Sequence, residues 1–346
     1  MTAPAVWLPT VRAGTGTDTF TLRLATALQQ RGIRAEITWL PHRAEFAPWM
    51  VETPSPPSWA NVIHINSWLP SRFIPRDMPV VATVHSCAHD PALTPYKTTA
   101  QSLYHRLWVK HQEAATLCRA TIATAVSRYA ADQAMRIFYR SDIVTIPNWV
   151  DTQRFPPDGR QQPHHPFRLL FAGKPRSLKG ADLLPTIMRR LGLGFVLYYT
   201  GTAEEFQHLA APLPENMVAL GRLQGDAAMA TAYLDCDALL FPTRLEGFGL
   251  VALEAQSCAR PVIATNCSSL PEVVVAGKTG FLCPMDDIAA FAEAARALSN
   301  DPVMWHNMGL AGRAHATTNF SEEAAVNHYI ETYGQAISLK GPHESN

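Results

Sequence analysis

The chain has 346 residues, 47% of them hydrophobic and 17% charged, which suits a folded protein with two domains of ordinary size. Its 29 basic residues are balanced by 29 acidic ones, so no excess of positive charge favours nucleic acid as a partner. The N-terminal residues lack the basic leader and apolar core of a signal peptide, and no run approaches the roughly 20 apolar residues that span a bilayer. We expect a cytoplasmic protein.

Short apolar runs alternate with longer amphipathic runs through the first half of the chain. The strand-like runs are AVWLP (5–9), AEITWL (35–40), NVIHI (61–65), PVVATV (79–84), TIATAV (121–126) and IVTIP (143–147). Between the first two lies DTFTLRLATALQQRG (18–32), which has helical periodicity and ends at a stop signal, Gly32. The repeated order of strand, helix and strand predicts βαβ units and a parallel sheet.

The segment DTQRFPPDGRQQPHHP (151–166) is polar, rich in proline and without periodicity, so we predict a linker there. The alternation then resumes with RLLFAG (168–173), FVLYYT (195–200), MVAL (217–220), DALLFP (237–242) and PVIAT (261–265). We therefore predict an α/β protein with two Rossmann-like, doubly wound domains, residues 1–155 and 156–320. Ligands of such sheets bind beyond the carboxyl ends of the strands, so a central cleft between the domains is the expected site.

The six cysteines show neither CxxC pairs nor the spacing of a zinc site. Most of them lie in apolar segments, which predicts reduced, buried thiols; the six are Cys87, Cys118, Cys236, Cys258, Cys267 and Cys283. A reducing cytoplasm fits this prediction.

Two glutamates frame a glycine turn in RLEGFGLVALEA (244–255), directly after a predicted strand. Glu246 lies in the loop, and Glu254 lies about one turn inside the helix that follows. Because Gly247 and Gly249 carry no side chains, the backbone N–H groups of Gly247, Phe248, Gly249 and Leu250 can approach a ligand at the positive end of that helix. Carboxylates accept hydrogen bonds from vicinal hydroxyls. Two such acceptors beside an anion-binding turn predict a nucleotide sugar as ligand.

Positive charge occurs in a second strand-to-helix loop, GKPRSLKG (173–180). It carries Lys174, Arg176 and Lys179 at the carboxyl edge of the same predicted sheet. Considered alone, this loop is better explained as a solvated basic surface. Together with the glutamate pair it indicates a diphosphate site, because a diphosphate leaving group needs cations to offset its growing charge.

These segments resemble the retaining glycosyltransferases of family 4, which have the two-domain GT-B fold. The resemblance rests on EGFGLVALE (246–254) with the downstream text ARPVIATNCSSLPEVVVAGKTGFL, and on GKPRSLKG. In the first domain it rests on PVVATVH (79–85), AVS (125–127) and TIPNWVD (145–151). It covers nearly the whole chain. It implies a glycosyltransferase of the hexosyltransferase type that acts in polysaccharide or glycolipid biosynthesis, with a helix over 321–337 that packs back on the first domain.

The resemblance also implies roles for matching residues. Glu254 would hold the ribose hydroxyls, and Glu246 would contact the donor sugar beside the amides of the glycine turn. Lys179 would bind the diphosphate, and His85 would contact the donor sugar from the other domain. His85, Glu246 and Lys179 are therefore the predicted catalytic residues. We further expect the base to be contacted around Arg222 and Leu223, through backbone groups that carry no readable code.

Three positions depart from the family pattern. Lys174 stands where the family has arginine, so the charge is kept but the bidentate fork is lost, and Arg176 is a candidate to compensate. In the N-terminal loop Gly14-Thr15-Gly16, threonine replaces the first glycine of a Gly-Gly pair. Trp149 replaces a glycine before the linker, and tryptophan adopts a positive φ only at a cost. We assign this loop and Trp149 to the acceptor side. For Trp149, packing is favoured over stacking on an acceptor sugar.

The expected reaction needs no cofactor, and its substrates are a nucleotide-diphosphate sugar and a hydroxyl acceptor, either a saccharide or a lipid-linked glycan. No metal is implied, because the cations and the helix end already offset the phosphate charge. No side chain is placed to act as a covalent nucleophile. A nucleotide-sugar epimerase or phosphorylase and a non-catalytic sensor stay open as alternatives. A dinucleotide site at GTGTDT (14–19) is disfavoured, because Thr19 occupies the place of the third glycine.

Outside these motifs, residues 97–111 mix basic side chains with apolar ones at helical spacing. The favoured interpretation is a packed helix with a wet basic edge. The alternative is a surface helix that contacts anionic lipid on the inner face of a membrane, as a peripheral protein would. His64 and His89 are interpreted as structural or peripheral residues, and Asp286 and Asp287 are predicted to cap the next helix.

Overall fold

The computed structural model describes residues 3–86, 88–209 and 212–340. They form two compact units. The first comprises the chain up to Asn148 together with the chain from Glu322, and the second runs from Trp149 to Ser321. The division therefore falls before the predicted linker rather than inside it.

The first unit is built on a six-stranded, wholly parallel sheet in the order β2-β1-β3-β4-β5-β6. Its strands are β1 (Val6–Val11), β2 (Ala35–Leu40), β3 (Val62–Asn66), β4 (Val80–Val84), β5 (Ile122–Ala125) and β6 (Ile143–Thr145). Every residue of β4 and β5 is buried, which is why these runs are continuously apolar rather than alternating. All six were predicted from the sequence, with small shifts at the ends.

Helices connect these strands and pack against the sheet. They are α1 (Gly16–Gln30), α2 (Thr99–Tyr104), α3 (Lys110–Arg119) and α4 (Arg128–Phe138). A π-helical turn, His105–Val109, joins α2 to α3, and short 3-10 turns occur at His42–Ala44 and Pro48–Met50.

The second unit repeats the plan with a parallel sheet in the order β12-β11-β10-β7-β8-β9. Its strands are β7 (Phe167–Phe171), β8 (Phe195–Thr200), β9 (Met217–Gly221), β10 (Ala238–Phe241), β11 (Val262–Thr265) and β12 (Gly280–Cys283). Its helices are α5 (Leu184–Leu191), α6 (Ala203–Gln207), α7 (Gly225–Leu234), α8 (Leu250–Ser257), α9 (Leu270–Val273), α10 (Ile288–Asn300) and α11 (Pro302–Asn319). The prediction of two Rossmann-like, doubly wound domains is confirmed; β12 was not predicted.

The last helix, α12 (Glu322–Lys340), packs on the sheet of the first unit, against β3 and β4. Tyr329 and Tyr333 are fully buried there. The hydroxyl of Tyr333 lies 2.5 Å from Nδ1 of His64 on β3, and Nε2 of His64 lies 2.8 Å from Oγ1 of Thr83 on β4. His64 is thus a structural residue with both ring nitrogens paired. Burial lowers its pKa to about 3, so the ring stays neutral.

Residues 151–166 differ from a free linker because buried charges attach them to the second unit. The carboxylate of Asp237, which is fully buried, accepts hydrogen bonds from Nη1 of Arg160 at 2.9 Å and from the backbone N–H of His164 at 3.1 Å. Nη1 of Arg313 donates to the carbonyl oxygens of Thr152 and Phe155 at 3.1 and 2.9 Å. Composition predicted an irregular segment here, but it did not reveal these distant partners.

Each sheet reverses its strand order once, and these reversals position the candidate site. In the first sheet the reversal lies between β1 and β3, and in the second between β7 and β10. The carboxyl ends of such strand pairs border the crevice where doubly wound folds bind ligands. Residues 12–16 follow β1, GKPRSLKG follows β7 and TRLEGFG follows β10.

Among the described residues, the free cysteines Cys236, Cys258 and Cys283 are buried, Cys267 is half-buried and Cys118 is exposed. Burial raises the pKa of the Cys236, Cys258 and Cys283 thiols to about 12, so they stay protonated and inert. Cys87 lies outside the described residues.

Candidate functional site

The phosphate loop (residues 173–180) and the glutamate loop (residues 243–249) come into direct contact in the second unit. Gly180 has a φ of 69°, and a Cβ atom there would lie 1.9 Å from the carbonyl oxygen of Pro242. Glycine is therefore required for the two loops to approach each other. The backbone N–H of Arg244 donates to the carbonyl oxygen of Leu178 at 2.9 Å, which fixes the register between the loops.

Glu246 and Lys179 form one ion pair across these loops. Oε1 of Glu246 accepts hydrogen bonds from Nζ of Lys179 and, at 3.0 Å, from Oγ1 of Thr243. Within the described part of the chain, Oε2 has no hydrogen-bond partner. The backbone N–H of Glu246 donates to Oγ of Ser268 at 2.9 Å, so the segment after β11 also holds the glutamate loop. One carboxylate oxygen is thus used for positioning, and the other is available to a ligand.

Arg244 belongs to the site, although no role was predicted for it from the sequence. Its guanidinium binds both carboxylate oxygens of Asp182, at 2.7 and 2.9 Å, and its Nε donates to Asp286 at 2.7 Å. Nη1 also donates to the carbonyl oxygen of Ser177. The hydrogen bond to Asp182 raises the pKa of Arg244 above its ordinary value, so the buried charge is permanent. Arg244 therefore connects the phosphate loop, the glutamate loop and the turn before α10.

Helix α8 begins where the glutamate loop ends. Gly249 occupies the position before the helix with a φ of 97°, and no side chain caps the helix start. Phe248 is buried, and its ring contacts that of Phe320 at 5.6 Å, so only its backbone belongs to the site. Glu254 is 7% exposed, and its Oε2 accepts a hydrogen bond from the hydroxyl of Tyr233 at 3.1 Å. Tyr233, on α7, was not predicted as a site residue.

The predicted cations differ in their surroundings. Lys174 and Arg176 are exposed, whereas Lys179 is half-buried beside Glu246. Arg222 is exposed and pairs with Oε1 of Glu205 at 2.5 Å. Leu223, which follows it, is half-buried. Lys179 is therefore joined to the glutamate loop by an ion pair.

In the first unit, His85 follows β4 and is held by neutral groups. Its Nε2 lies 2.7 Å from Oδ1 of Asn66, the last residue of β3. The ring of Phe20 contacts the imidazole edge to face, with centroids 4.6 Å apart. Burial lowers the pKa of His85 to about 3, so the ring is neutral at physiological pH.

The loop Gly14-Thr15-Gly16 lies at the carboxyl end of β1 and is exposed. Asp18, in the first turn of α1, reaches back to it. The Asp18 carboxylate accepts hydrogen bonds from the backbone N–H of Gly14 at 2.8 Å and of Ala13 at 3.2 Å. The path of the loop is thus defined by Asp18 despite the Thr15 substitution.

Trp149 is 3% exposed and belongs to the second unit. The non-glycine residues with a positive φ in the described part of the chain are Tyr139, Ala259, Ser268 and Asp286, so the backbone of Trp149 avoids the left-handed region. Burial of the indole supports packing rather than sugar stacking.

The prediction for the turn before α10 was half right. Asp287 caps α10, since its Oδ1 accepts from the backbone N–H of Ala290 at 3.0 Å, but Asp286 binds Arg244 instead. An Asp-x-Asp sequence occurs at Asp235–Asp237. There Asp237 is fully buried against Arg160 and His164, an arrangement that does not resemble a metal site. In the described ranges, no group of three or more His, Cys, Asp or Glu residues is placed to hold a metal ion.

An apolar surface forms where residues 42–50 meet the helical segment 97–111. The rings of Trp49 and Trp108 contact edge to face at 5.9 Å, and Nε1 of Trp108 donates to the carbonyl oxygen of Glu45 at 3.1 Å. Five apolar side chains around this contact are 48 to 65% exposed: Phe46, Trp49, Met50, Leu103 and Leu107. Large exposed apolar side chains that cluster in this way mark interaction sites. Within the described residues, no helix is both long and apolar enough to cross a membrane.

Comparison with known families matches both units. Residues 57–154 match the model of a family described as "Glycosyltransferase Family 4", and residues 166–301 match one described as "Glycosyl transferases group 1".

Among curated proteins, the chain is similar to D-inositol 3-phosphate glycosyltransferase 1 of Catenulispora acidiphila, with 28% identity over 335 residues that cover 85% of this chain and 76% of the relative. It is also similar to glycogen synthase of Mycobacterium tuberculosis, with 25% identity over 293 residues, 80% of this chain and 69% of the relative.

Among solved structures, sucrose-phosphate synthase from Thermosynechococcus elongatus superposes with a TM-score of 0.77 at 18% identity, covering 96% of this chain and 99% of that one. Anabaena HepE, crystallised with UDP and glucose, gives a TM-score of 0.72 at 15% identity, covering 96% of this chain and all of that one (100%). The two parallel six-stranded sheets match the GT-B fold of these neighbours.

Proposed function

Because this chain belongs to glycosyltransferase family 4, we propose that it is a retaining, metal-independent enzyme whose donor is a nucleotide-diphosphate sugar. One observation carries the proposal. The phosphate loop and the glutamate loop flank the strand reversal between β7 and β10, and they are joined by the Lys179–Glu246 pair. A cation and a sugar-binding carboxylate in contact suit the point where a diphosphate meets its sugar.

In the proposed reaction, the bond between the anomeric carbon and the phosphate oxygen breaks while the acceptor oxygen bonds to the same face of that carbon. The acceptor proton passes to the departing phosphate oxygen. Lys179, Lys174 and Arg176 offset the charge that builds on the diphosphate, together with the N-terminus of α8. Oε2 of Glu246 accepts from a sugar hydroxyl, beside the amides of Gly247, Phe248 and Gly249. A preorganised cation replaces a metal ion in this scheme.

The nucleoside is proposed to be held by Glu254, whose oxygens suit the two ribose hydroxyls. Tyr233 positions this carboxylate through its hydroxyl. Arg222 and Leu223 are proposed to lie beside the base. A neighbouring fold, Anabaena HepE, has been crystallised with UDP-glucose, which makes uridine the first nucleotide to test.

The acceptor is proposed to be a hydroxyl of a saccharide or of a lipid-linked glycan, bound on the side of the Gly14-Thr15-Gly16 loop. One relative is named for D-inositol 3-phosphate, a small phosphorylated polyol, and another is named for glycogen, a polysaccharide. A soluble phosphorylated polyol therefore belongs in any acceptor panel, beside oligosaccharides and lipid-linked sugars.

The direct test incubates the pure protein with UDP-, GDP- and ADP-sugars and acceptors, and follows release of nucleotide. NMR of the product gives the anomeric configuration, which should equal that of the donor. Turnover should survive EDTA. Inversion at the anomeric carbon, or loss of turnover in EDTA with recovery on adding a divalent metal, would contradict the mechanism. Interconversion of sugars without transfer would indicate an epimerase instead.

Two variants separate nucleoside binding from sugar binding. Glu254→Gln should weaken free-nucleotide affinity by about 1.5–3 kcal/mol, the range for a hydrogen bond to a charged group. Tyr233→Phe, which removes only the positioning hydroxyl, should have a smaller effect of about 1 kcal/mol. Glu246→Gln serves as the control, because it should depress turnover and leave free-nucleotide affinity unchanged. Equal loss of affinity in the Glu246 and Glu254 variants contradicts the assignment.

We also propose that the apolar surface around Trp49 and Leu107 lies on an anionic membrane, as a peripheral contact of residues 97–111 extended by residues 42–50. The surface is bordered by exposed cations, Arg43, Arg106 and Lys110, whose charge complements anionic head groups. Apolar side chains and cations on one surface are the pattern of interfacial binding. Such a contact would bring the enzyme to a lipid-linked acceptor on the inner face of the membrane.

Sedimentation with lipid vesicles tests this contact. Binding to vesicles that contain phosphatidylglycerol should exceed binding to pure phosphatidylcholine, and should fall with salt. The double variant Trp49→Ser, Leu107→Ser should lose it. The control is Leu310→Ser on α11, a leucine that is 50% exposed in the second unit. If the double variant binds like the wild type, or the wild type binds neither vesicle, the proposal is wrong.

A further inference from the structure

The chain that opens the second unit is bound to the end of helix α8. The carbonyl oxygen of Phe155 accepts hydrogen bonds from Oγ of Ser257 at 2.8 Å and from Nη1 of Arg313 at 2.9 Å. Ser257 is the last residue of α8, and Nη1 of Arg313 also donates to its carbonyl oxygen and to its hydroxyl, each at 2.8 Å. Residues 151–155, the connecting segment, are thus joined to α8 by Ser257 and Arg313 together.

The ring of Phe155 connects the same segment to Glu254. Phe155 is fully buried, and its ring contacts the ring of Tyr233 edge to face, with centroids 6.1 Å apart. The hydroxyl of Tyr233 donates to Oε2 of Glu254 at 3.1 Å. Glu254 and Ser257 are three residues apart on α8, so they lie on one face of that helix. Contacts therefore run from the connecting segment through Tyr233 to the carboxylate that is proposed to hold the ribose.

Helix α7, which carries Tyr233, also binds the connecting segment through an ion pair. Nη1 of Arg154 donates to Oδ2 of Asp226, in the first turn of α7, at 3.0 Å. Arg154 is half exposed, so this pair adds little stability by itself. The connecting segment nevertheless contacts both helices whose side chains form the hydrogen bond between Tyr233 and Glu254.

We infer that Phe155 and Arg313 are positioning residues for nucleotide binding. By docking the connecting segment on the second unit, they hold the Tyr233 hydroxyl on Glu254. The inference rests on the proposed function for the role of Glu254. A carboxylate that receives two ribose hydroxyls needs a fixed rotamer, which the residues packed around it must supply. If the connecting segment is displaced, Tyr233 loses the ring that packs against it, and its hydroxyl is less well oriented.

Such a coupling acts in both directions, because two linked equilibria change each other by the same factor. A nucleotide that prefers the docked segment must also keep the segment docked. Arg154 makes this effect measurable, because trypsin cleaves after arginine where the side chain is exposed and the local backbone can open.

Calorimetry with free UDP, GDP and ADP tests the positioning role. Phe155→Leu keeps an apolar side chain but loses the ring contact, so it should weaken affinity by about two- to fivefold, within the range for one aromatic pair. The loss should not exceed that of Tyr233→Phe, and Phe155→Leu should cost nothing further in a Tyr233→Phe background. Equal losses of affinity in both backgrounds overturn the inference.

Leu298→Ala is the control for a general loss of stability. Leu298 is fully buried in the core of the second unit, on α10, so the variant should lower stability through a cavity and leave nucleotide affinity unchanged. Arg313→Met should lower both, and Arg313→Lys should restore part of the affinity, because lysine keeps a charged donor. If Arg313→Met is less stable but binds nucleotide like the wild type, Arg313 has only a structural role and the inference is wrong.

Amide hydrogen exchange of residues 250–257 gives a measurement that needs no ligand. Exchange in this helix should be faster in Arg313→Met than in the wild type, and faster than in Leu298→Ala when the two variants are compared at equal stability. Equal exchange in the two variants would show that the connecting segment does not position the helix that carries Glu254. The inference would then fail whether or not the proposed function holds.

Limited digestion with trypsin tests the reciprocal effect. At a free nucleotide concentration of about ten times Kd, cleavage after Arg154 should slow by up to about tenfold. Cleavage after Lys278, which lies in an exposed turn of the same unit, should not change. Unchanged cleavage after Arg154, or equal protection of both sites, overturns the coupling. If no nucleotide binds the wild type, the proposed function fails, and hydrogen exchange alone then decides the positioning role.

Discussion

The two sheets each present a cluster of polar residues at the point where their strand order reverses, yet the clusters are held together by different forces. In the second unit, Lys179, Glu246 and Arg244 are charged, and each is positioned by an opposite charge. In the first unit, Asn66 and His85 are neutral and are positioned by hydrogen bonds and an aromatic ring. The difference suits ligands of different charge: a diphosphate needs fixed cations, whereas a sugar hydroxyl needs an oriented donor or acceptor.

The largest effect is expected where the charges of the second unit are coupled. Lys179→Ala should lower kcat by about 100- to 1,000-fold, the cost of losing one preorganised group that stabilises developing negative charge. Glu246→Ala should act similarly, because it removes the partner that positions Lys179. The double variant should be far less impaired than the product of the two single effects, since residues that work as a unit are not additive.

Steady-state kinetics of the wild type and these three variants gives the coupling energy directly. Additive effects would mean that Lys179 and Glu246 act on separate parts of the substrate, and that their contact has no role in turnover. Free-nucleotide affinity, measured by calorimetry, should change little in Glu246→Ala.

Arg244→Met should impair both stability and turnover, since it breaks the connection among three loops. Removing one partner of a buried ion pair typically costs about 3–5 kcal/mol. The lower end applies here, because Asp182 and Asp286 are partly exposed and can be solvated once Arg244 is lost. Urea unfolding measures the loss, and kcat should fall because the phosphate loop is no longer registered against the glutamate loop.

Arg244→Lys is the sharper comparison. It keeps the charge but cannot bind both oxygens of Asp182 and reach Asp286 at once. Stability between that of the wild type and of Arg244→Met is expected. If lysine restores the wild-type values, charge alone is sufficient and the fork geometry is irrelevant.

What could be predicted from the sequence depends on how far apart the interacting residues lie along the chain. Glu246 and Glu254 were predicted because a strand, a glycine turn and a helix place them at fixed spacing, and Lys179 was predicted because its loop follows another strand of the same sheet. Arg244 lies two residues from Glu246, but its partners Asp182 and Asp286 are remote in sequence, so its role was not visible. Tyr233 was missed for the same reason. Eleven strands and the parallel arrangement followed from local apolar runs, whereas such long-range pairs do not.

The neutral cluster was harder still. His85 was identified through the resemblance and its place after an apolar strand, whereas Asn66 was not identified at all, because an asparagine at a strand end is common. Residues 151–166 were predicted to be a linker, because composition cannot show that Arg160 is bonded to Asp237. The strand β12, four residues long, offers too short a pattern to stand out. Spacing within one segment can be predicted, and contacts between distant segments cannot.

The neutral character of the first unit predicts a dependence of stability on pH. His64 is buried and its pKa is lowered to about 3, whereas an unfolded histidine titrates near 6.5. Below pH 6.5 the unfolded chain therefore binds a proton that the folded chain does not. Stability should fall as pH decreases from about 6.5 towards about 3, by about 1.4 kcal/mol per pH unit for this group.

Urea unfolding at pH 7, 6 and 5, followed by tryptophan fluorescence, checks this slope. His64→Gln should make the slope shallower by about 1.4 kcal/mol per pH unit, because glutamine does not titrate, while His85, whose pKa is also lowered to about 3, keeps a similar contribution. His42→Gln is the control, since His42 is an exposed histidine of the same unit. An identical slope in wild type and His64→Gln would show that the acid sensitivity arises elsewhere.

The smallest effect is expected at Lys174, the one place where the charged cluster departs from its family pattern. Lys174 is exposed, and its charge is among the causes that lower the pKa of Glu205. Lys174→Arg keeps that charge and adds a second donor that can bind a phosphate oxygen, so kcat/KM should stay within about twofold of the wild type or rise. Lys174→Gln should lower kcat/KM, and more so at low salt than at high salt, because an exposed charge is screened.

Arg176 decides whether the departure is compensated. If Arg176 supplies the missing fork, Lys174→Gln alone should be mild, Arg176→Gln alone should be worse, and Lys174→Arg should partly rescue Arg176→Gln. Kinetics of these four variants at two salt concentrations measure this. If Arg176→Gln has no effect on kcat/KM, this chain makes no bidentate guanidinium contact to the diphosphate from this loop. Lys179 and the N-terminus of α8 would then offset the diphosphate charge without it. A strong loss of kcat/KM in Lys174→Arg would mean that the exposed lysine has a steric role. The phosphate loop would then be matched to its ligand by shape as well as by charge.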